Sequence, residues 1–210
     1  MQDLNRLTIT GFLEELASEN PVPGGGSVAA LAGALAAALT TMVARLTVGR
    51  EKFKDRWETM QPIEERASQR IALFQSLVQK DTEAYQKVVD AFRLPKGTEE
   101  EKRSRREAVQ EAFKEAARVP METLLALEQL AEDALEAVRS GNPNAASDAG
   151  AAVQMIRAGA TVAAYNVWIN LGSIKDEAFV ASLRAKAEGA LAKIREAESR
   201  CHDLLAKELL

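Results

Sequence analysis

An aspartate on an apolar helical stripe needs a reason to be there, and Asp81 stands on one. Leu77, Val78, Tyr85, Val88 and Val89 recur around it at spacings of three and four, whereas Glu83 and Lys87 fall on the opposite side. A carboxylate on a buried stripe costs several kcal/mol unless it is paired or used. Burial also lifts its pKa towards the range where one group can take a proton and return it. A second acid, Asp148, falls in the first turn of a charge-poor segment, where the helix dipole favours it. Asn144 or Ser147 just before it can cap that helix.

Around these acids lie groups suited to holding a ligand. Gly24-Gly25-Gly26-Ser27 precedes a helix, so its unshielded N–H groups and the helix N-terminus favour a phosphate, a carboxylate or a ring carbonyl. No Lys-Ser/Thr pair follows, which excludes a Walker A loop. Asn166 and Asn170 are four apart and share a face, with amides able to hold a heterocycle or to satisfy one another. Arg45 and Arg157 are the lone cations of two charge-poor segments, available to Asp81, to Asp148 or to a substrate carboxylate. His202 is the only histidine and sits in a charged terminal helix, which reads as surface; Cys201 is the only cysteine. One of each leaves no material for a zinc site or a Ser-His or Cys-His nucleophile, so proton chemistry must rest on carboxylates.

The elements that position these groups are all helical. Thr10 is expected to cap a short helix through Leu16, and Pro21 to Ser27 to be non-helical. A helix is expected over 27–48 with Gly49 at its end, and an amphipathic one over 57–92. After the break at Leu94-Pro95-Lys96-Gly97, Thr98 and Glu101 form a capping box opening a helix to about 139, kinked at Pro120. Gly141-Asn142-Pro143-Asn144 breaks the chain again before a charge-poor helix over 145–171 and a last amphipathic helix to 205. No run alternates with period two, so no sheet is expected.

The segment from Asn20 to Ala44 is uncharged and long enough to span a bilayer. Its Ala, Gly, Ser and Thr content makes it a buried core helix instead. The chain thus reads as one all-α domain over 1–210: a multihelical array with two buried central helices, closed as a tight homodimer. With 27 basic against 31 acidic residues and 5% aromatics, it lacks the surface for nucleic acid. No basic n-region opens the chain and a single cysteine fits a reducing compartment, so the cytoplasm is expected.

Together these stretches resemble the formiminotetrahydrofolate cyclodeaminase / methenyltetrahydrofolate cyclohydrolase family. The resemblance rests on Pro21 to Ala30, Leu46 to Gly49, Asp81 with Ala84-Tyr85, Leu94-Pro95-Lys96, Gly141 to Asn144, Ser147-Asp148 and Asn166 to Asn170. It implies a helical folate enzyme that needs no cofactor beyond its tetrahydrofolate substrate and forms dimers. Asp81 and Asp148 would then be the acid–base pair. Gly24, Gly25, Gly26, Ser27, Asn142, Asn144, Asn166 and Asn170 would grip the pterin, and Lys96, Lys52 or Arg50 would meet the glutamate tail. The expected reaction is cyclodeamination of 5-formiminotetrahydrofolate, with methenyltetrahydrofolate hydrolysis as the alternative. A non-catalytic folate-binding or structural dimer is the rival from another class.

Overall fold

The computed structural model describes the backbone of residues 2–209 and the side chains of residues 2–206; it is helical throughout, with no strand among the described residues. Six α-helices follow in order: α1 (Ile9–Leu16), α2 (Gly25–Arg45), α3 (Trp57–Arg93), α4 (Glu99–Ser140), α5 (Ala146–Leu171) and α6 (Glu177–Leu209). Short 3-10 turns at Leu4–Arg6, Glu51–Arg56 and Pro143–Ala145 complete the path.

Start and stop chemistry explains most of these limits. Thr98 accepts from the Glu101 N–H while the Glu101 carboxylate accepts from the Thr98 N–H, so the capping box opens α4 as expected. At α1 the cap is Thr8, which accepts from the Gly11 N–H at 3.0 Å; Thr10, the expected cap, is already one residue inside. Gly25, Gly26 and Ser27 form the first turn of α2 rather than the loop before it. Glycine costs little where the first N–H groups have no helical partner anyway. α2 ends at Arg45, and Gly49, with φ +79°, closes the turn beyond it rather than the helix itself. α4 runs unbroken through Pro120.

α2 and α5 lie antiparallel at the centre, held close by small residues. A Cβ at Gly159 of α5 would stand 3.0 Å from the Ala29 carbonyl oxygen on α2. A Cβ at Gly33 would meet the Phe74 ring of α3 at 2.5 Å, and one at Gly150 would meet Leu205 of α6 at 2.6 Å. Helices α3, α4 and α6 jacket this pair through Phe74, Leu77, Leu124, Leu127, Leu130 and Ile194, all fully buried. Although α2 is long and apolar enough to cross a membrane, most of it is buried inside the protein. The expectation of two helices enclosed on every side holds on three sides only. Leu35 and Met42 on α2, and Tyr165 and Ile169 on α5, remain exposed, Ile169 to 75%.

The far end of the α2–α5 pair is tied by a polar knot. The Asn142 N–H donates to Thr47 Oγ1 at 2.9 Å and its carboxamide to the Leu46 carbonyl at 3.1 Å. Arg56 donates to the Gly141 carbonyl at 2.7 Å, and the Trp57 indole to the Thr47 carbonyl at 3.1 Å. Each partner satisfies a group that helix ends leave open.

Candidate active site

Five segments converge on one cavity of about 370 Å³. The amino end of α2 brings its N-cap Gly24 with Gly25 and Gly26; α3 brings Asp81, Tyr85 and Val88; α4 brings Phe113; and α5 brings Asn166, Ile169 and Asn170. Pro21 and Val22 close it from the loop before α2. Its size falls in the range of small-molecule sites. A roomier hollow of about 450 Å³ lies between the N-terminal segment, α2 and α3, but it is lined by Ile9, Leu13, Leu35 and similar residues with no titratable group. Acid–base chemistry belongs to the first cavity.

Asp81 brings the carboxyl group that lines this cavity. Burial pushes its carboxyl above the usual carboxylate range, against hydrogen bonds from the Ser27 hydroxyl and backbone N–H that pull it down. The hydroxyl bond is 3.0 Å long. Gly26 exists for this contact: a Cβ there would overlap the Asp81 carboxylate. Only a glycine lets α3 bring its acid against the amino end of α2, where the dipole and open N–H groups keep the ionised form accessible.

The two asparagines offer acceptors. Asn166 donates its amide to the Val162 carbonyl at 2.9 Å, and Asn170 donates to the carbonyls of Ala116 at 3.0 Å and Asn166 at 2.8 Å. Those carbonyls fix which end of each carboxamide is nitrogen, because the reverse would set oxygen against oxygen. Among the described residues neither carboxamide oxygen accepts a hydrogen bond, so both can accept from a ligand in the cavity these residues line. Tyr85, Val88, Phe113 and Ile169 make the other half apolar. The cavity is therefore polar at the α2 end and greasy towards α4.

Several expected site residues lie elsewhere. Ser27 is fully buried behind Asp81, so it orients the acid rather than touching a ligand. Asn142 is consumed by the polar knot, and Asn144 is exposed beside it. Asp148 begins α5 at that same end, eighteen residues or about 27 Å along the helix from Asn166. Within one chain it cannot share a substrate with Asp81; antiparallel packing of α2 and α5 sends their amino ends to opposite poles. Lys96 is exposed in the loop after α3 and does not line the cavity. Lys52 and Arg50 flank the knot end. Arg45 pairs with Glu64 and Arg157 with Glu198, each at 2.9 Å, so neither serves an aspartate of the site. His202 is exposed, as expected. Tyr85 and Phe113 were missed: Tyr85 is one helical turn past Asp81 and findable on that ground, while Phe113 looked like any apolar position of α4.

An all-helical array thus sets one carboxyl group with a raised pKa, the amino end of a helix and two carboxamides around one cavity. Sequence comparison gives it a family. The Formiminotransferase-cyclodeaminase family profile matches residues 8–189, and the chain belongs to that family. It is 35% identical over 202 residues to a methenyltetrahydrofolate cyclohydrolase of Methylorubrum extorquens, covering 96% of this chain and 97% of that one. It is 35% identical over 178 residues to the formimidoyltransferase-cyclodeaminase of Mus musculus, covering 85% of this chain but only 33% of the mouse protein. The crystal structure of formiminotetrahydrofolate cyclodeaminase from Thermotoga maritima superimposes with a TM-score of 0.88 at 33% identity, over 99% of this chain and 100% of that one.

Proposed function

We propose that the cavity takes the pterin head of a tetrahydrofolate and that the chain is a formiminotetrahydrofolate cyclodeaminase. The observation that carries this is the elevated Asp81 carboxyl set against the α2 amino terminus, in a cavity that Asn166 and Asn170 also line. The 2-amino and ring N–H groups of a pterin donate to the Asn166 and Asn170 oxygens, and its 4-oxo group accepts from the Gly25 or Gly26 N–H. The aminobenzoyl arm then lies along Tyr85, Val88 and Phe113.

In this pose Asp81 serves both halves of the reaction. N10 attacks the protonated formimino carbon on N5, and the Asp81 carboxylate takes the N10 proton as the new C–N bond forms. The tetrahedral intermediate then receives that proton on its amino nitrogen, the C–NH3 bond breaks, and ammonia leaves the 5,10-methenyl product. The methenyl carbon is cationic, so the same carboxylate also stabilises it. One group can do both because its pKa is lifted towards neutrality.

The whole-length similarity to the Methylorubrum protein favours a second reading, methenyltetrahydrofolate hydrolysis. There Asp81 takes a proton from water attacking the bridging carbon and returns it to N5 as the C–N5 bond opens. The product is 10-formyltetrahydrofolate, with one proton released overall. We further infer a homodimer joined through the exposed uncharged faces of α2 and α5. Mixing the protein with each folate and following the ultraviolet band of the methenyl form decides the reaction: growth from 5-formiminotetrahydrofolate supports cyclodeamination, loss from the methenyl form supports hydrolysis, and no change with either contradicts both.

A further inference from the structure

Behind Asp81 one hydroxyl has more acceptors around it than hydrogens to give. Ser27 Oγ stands 3.0 Å from Asp81 Oδ2 and 3.1 Å from the Val78 carbonyl oxygen, with Thr82 Oγ1 at 3.5 Å. Ser27 and Thr82 are both buried, so water does not compete for these contacts. A hydroxyl donates one hydrogen and accepts two. Val78 lies inside α3, where the helical ladder already engages its carbonyl, so its second lone pair can take a hydrogen and release it at little cost. Thr82, at the outer limit of a hydrogen bond, adds a weak donor to Ser27 Oγ.

The bond between Ser27 and Asp81 therefore has two directions, and the charge on the carboxyl selects between them. An ionised Asp81 only accepts, so the Ser27 hydrogen must point at Oδ2. A carboxyl protonated on Oδ2 donates instead. Ser27 Oγ then accepts that hydrogen and turns its own to the Val78 carbonyl. In both states the buried hydroxyl and the carboxyl oxygen keep a partner, which is what burial demands. No proton leaves Ser27: Asp81 gains one from the cavity and later returns it, while the serine hydrogen only swings about its C–O bond. On the cavity walls the α2 amino end, α4 and α5 bring no ionisable side chain, and α3 brings Tyr85 beside Asp81. Lys80, Glu83 and Lys87 of α3 and Glu115, Arg118 and Glu122 of α4 line a separate surface hollow that shares only Ala84 with the cavity. Arg45 of α2 and Arg157 of α5 are held by Glu64 and Glu198.

We propose that Ser27 is a positioning residue with two settings: its hydroxyl donates to Asp81 while the carboxyl is ionised and to the Val78 carbonyl while Asp81 carries the proton. One side chain thus supports the base form and the acid form in turn, as a group that takes a proton and hands it back requires. The switch rests on these contacts alone; its value to turnover rests on the folate reading.

Carbon-13 NMR of the folate-free protein tests the switch. Asp81 is identified as the side-chain carboxyl signal missing from Asp81→Asn, and the Val78 carbonyl by sequential assignment. In the parent the Val78 carbonyl should shift with pH at the Asp81 midpoint. Ser27→Ala should raise the Asp81 midpoint by about one pH unit, because the ionised form loses a charge-assisted donor. Its Val78 carbonyl should no longer follow the titration. A parent Val78 signal indifferent to pH, one that titrates equally in Ser27→Ala, or an unmoved Asp81 midpoint overturns the proposal. Should Ser27→Ala fail to fold, Ser27→Cys takes its place: a thiol is a weak donor, so the midpoint should move the same way by less. In turnover of 5-formiminotetrahydrofolate, the rise of kcat with pH should move up with that midpoint while KM stays within about twofold. A raised KM at unchanged kcat would make Ser27 a substrate contact and overturn the proposal. A parent inert to both folates would overturn the folate reading and leave the NMR result to decide the switch.

Discussion

Asp81 is held between opposing influences, and its pH behaviour follows from which one wins. Burial raises its pKa and Ser27 lowers it, with burial the stronger. Its proton-accepting form therefore accumulates only above the ordinary carboxylate range, and kcat should rise with pH through that window. Stability runs the other way. A carboxyl whose folded pKa exceeds its unfolded one binds more protons when folded, so its contribution is full at low pH and is lost as pH rises through the folded value. Asp81→Asn, which keeps an oxygen to accept from Ser27, should have a thermal midpoint at pH 7 no lower than the parent's, with the difference shrinking on acidification; calorimetry at several pH values checks this. Gly26→Ala should be the opposite case. Its methyl group displaces the Asp81 carboxylate, so turnover should fall at least about tenfold while circular dichroism stays that of a helical protein.

At the scale of elements, the jacket is tied to itself by a buried charge. Asp133 on α4 is 7% exposed and receives Arg66 at 2.6 Å and Arg70 at 2.8 Å from α3. Removing one partner of such a pair strands the others. Asp133→Ala should cost roughly 3 kcal/mol and lower the melting temperature by about 6–12 °C, read by thermal denaturation, without moving the substrate KM of the folded enzyme. Helix existence and order were legible from breakers and caps: Leu94 to Gly97, Thr98 with Glu101, and Gly141 to Asn144 each ended or began what their chemistry says they should. Asp81, Asn166 and Asn170 were legible because each sat on a face whose neighbours were small or apolar. Ser27 was not. Nothing in Gly-Gly-Gly-Ser says the helix has already begun, and a two-residue shift in its start decides whether the hydroxyl faces a ligand or the back of Asp81. Asp148 and Asn142 misled for a related reason. Motif and helix were right, but only the antiparallel course of α2 and α5 tells which end of the molecule they occupy.

For the whole molecule, the question is what covers the uncharged faces of α2 and α5. A chain that buried both helices on every side would leave no such strip, and composition alone could not show that the jacket has only three walls. The expected state is two copies joined over that face, so sedimentation at micromolar concentration should give twice the mass of one chain. Ala158→Arg, at an exposed position of α5, should return it to one chain, seen as a halved mass.

The account stands on one carboxyl group doing the proton work of the site. Its most direct measurement is the single-turnover rate of methenyl band change for Asp81→Asn beside the parent, with folate affinity titrated on the same samples. The account predicts a loss of about 100-fold or more in rate with affinity within a few-fold of the parent's. An Asp81→Asn protein that turns over at the parental rate contradicts it.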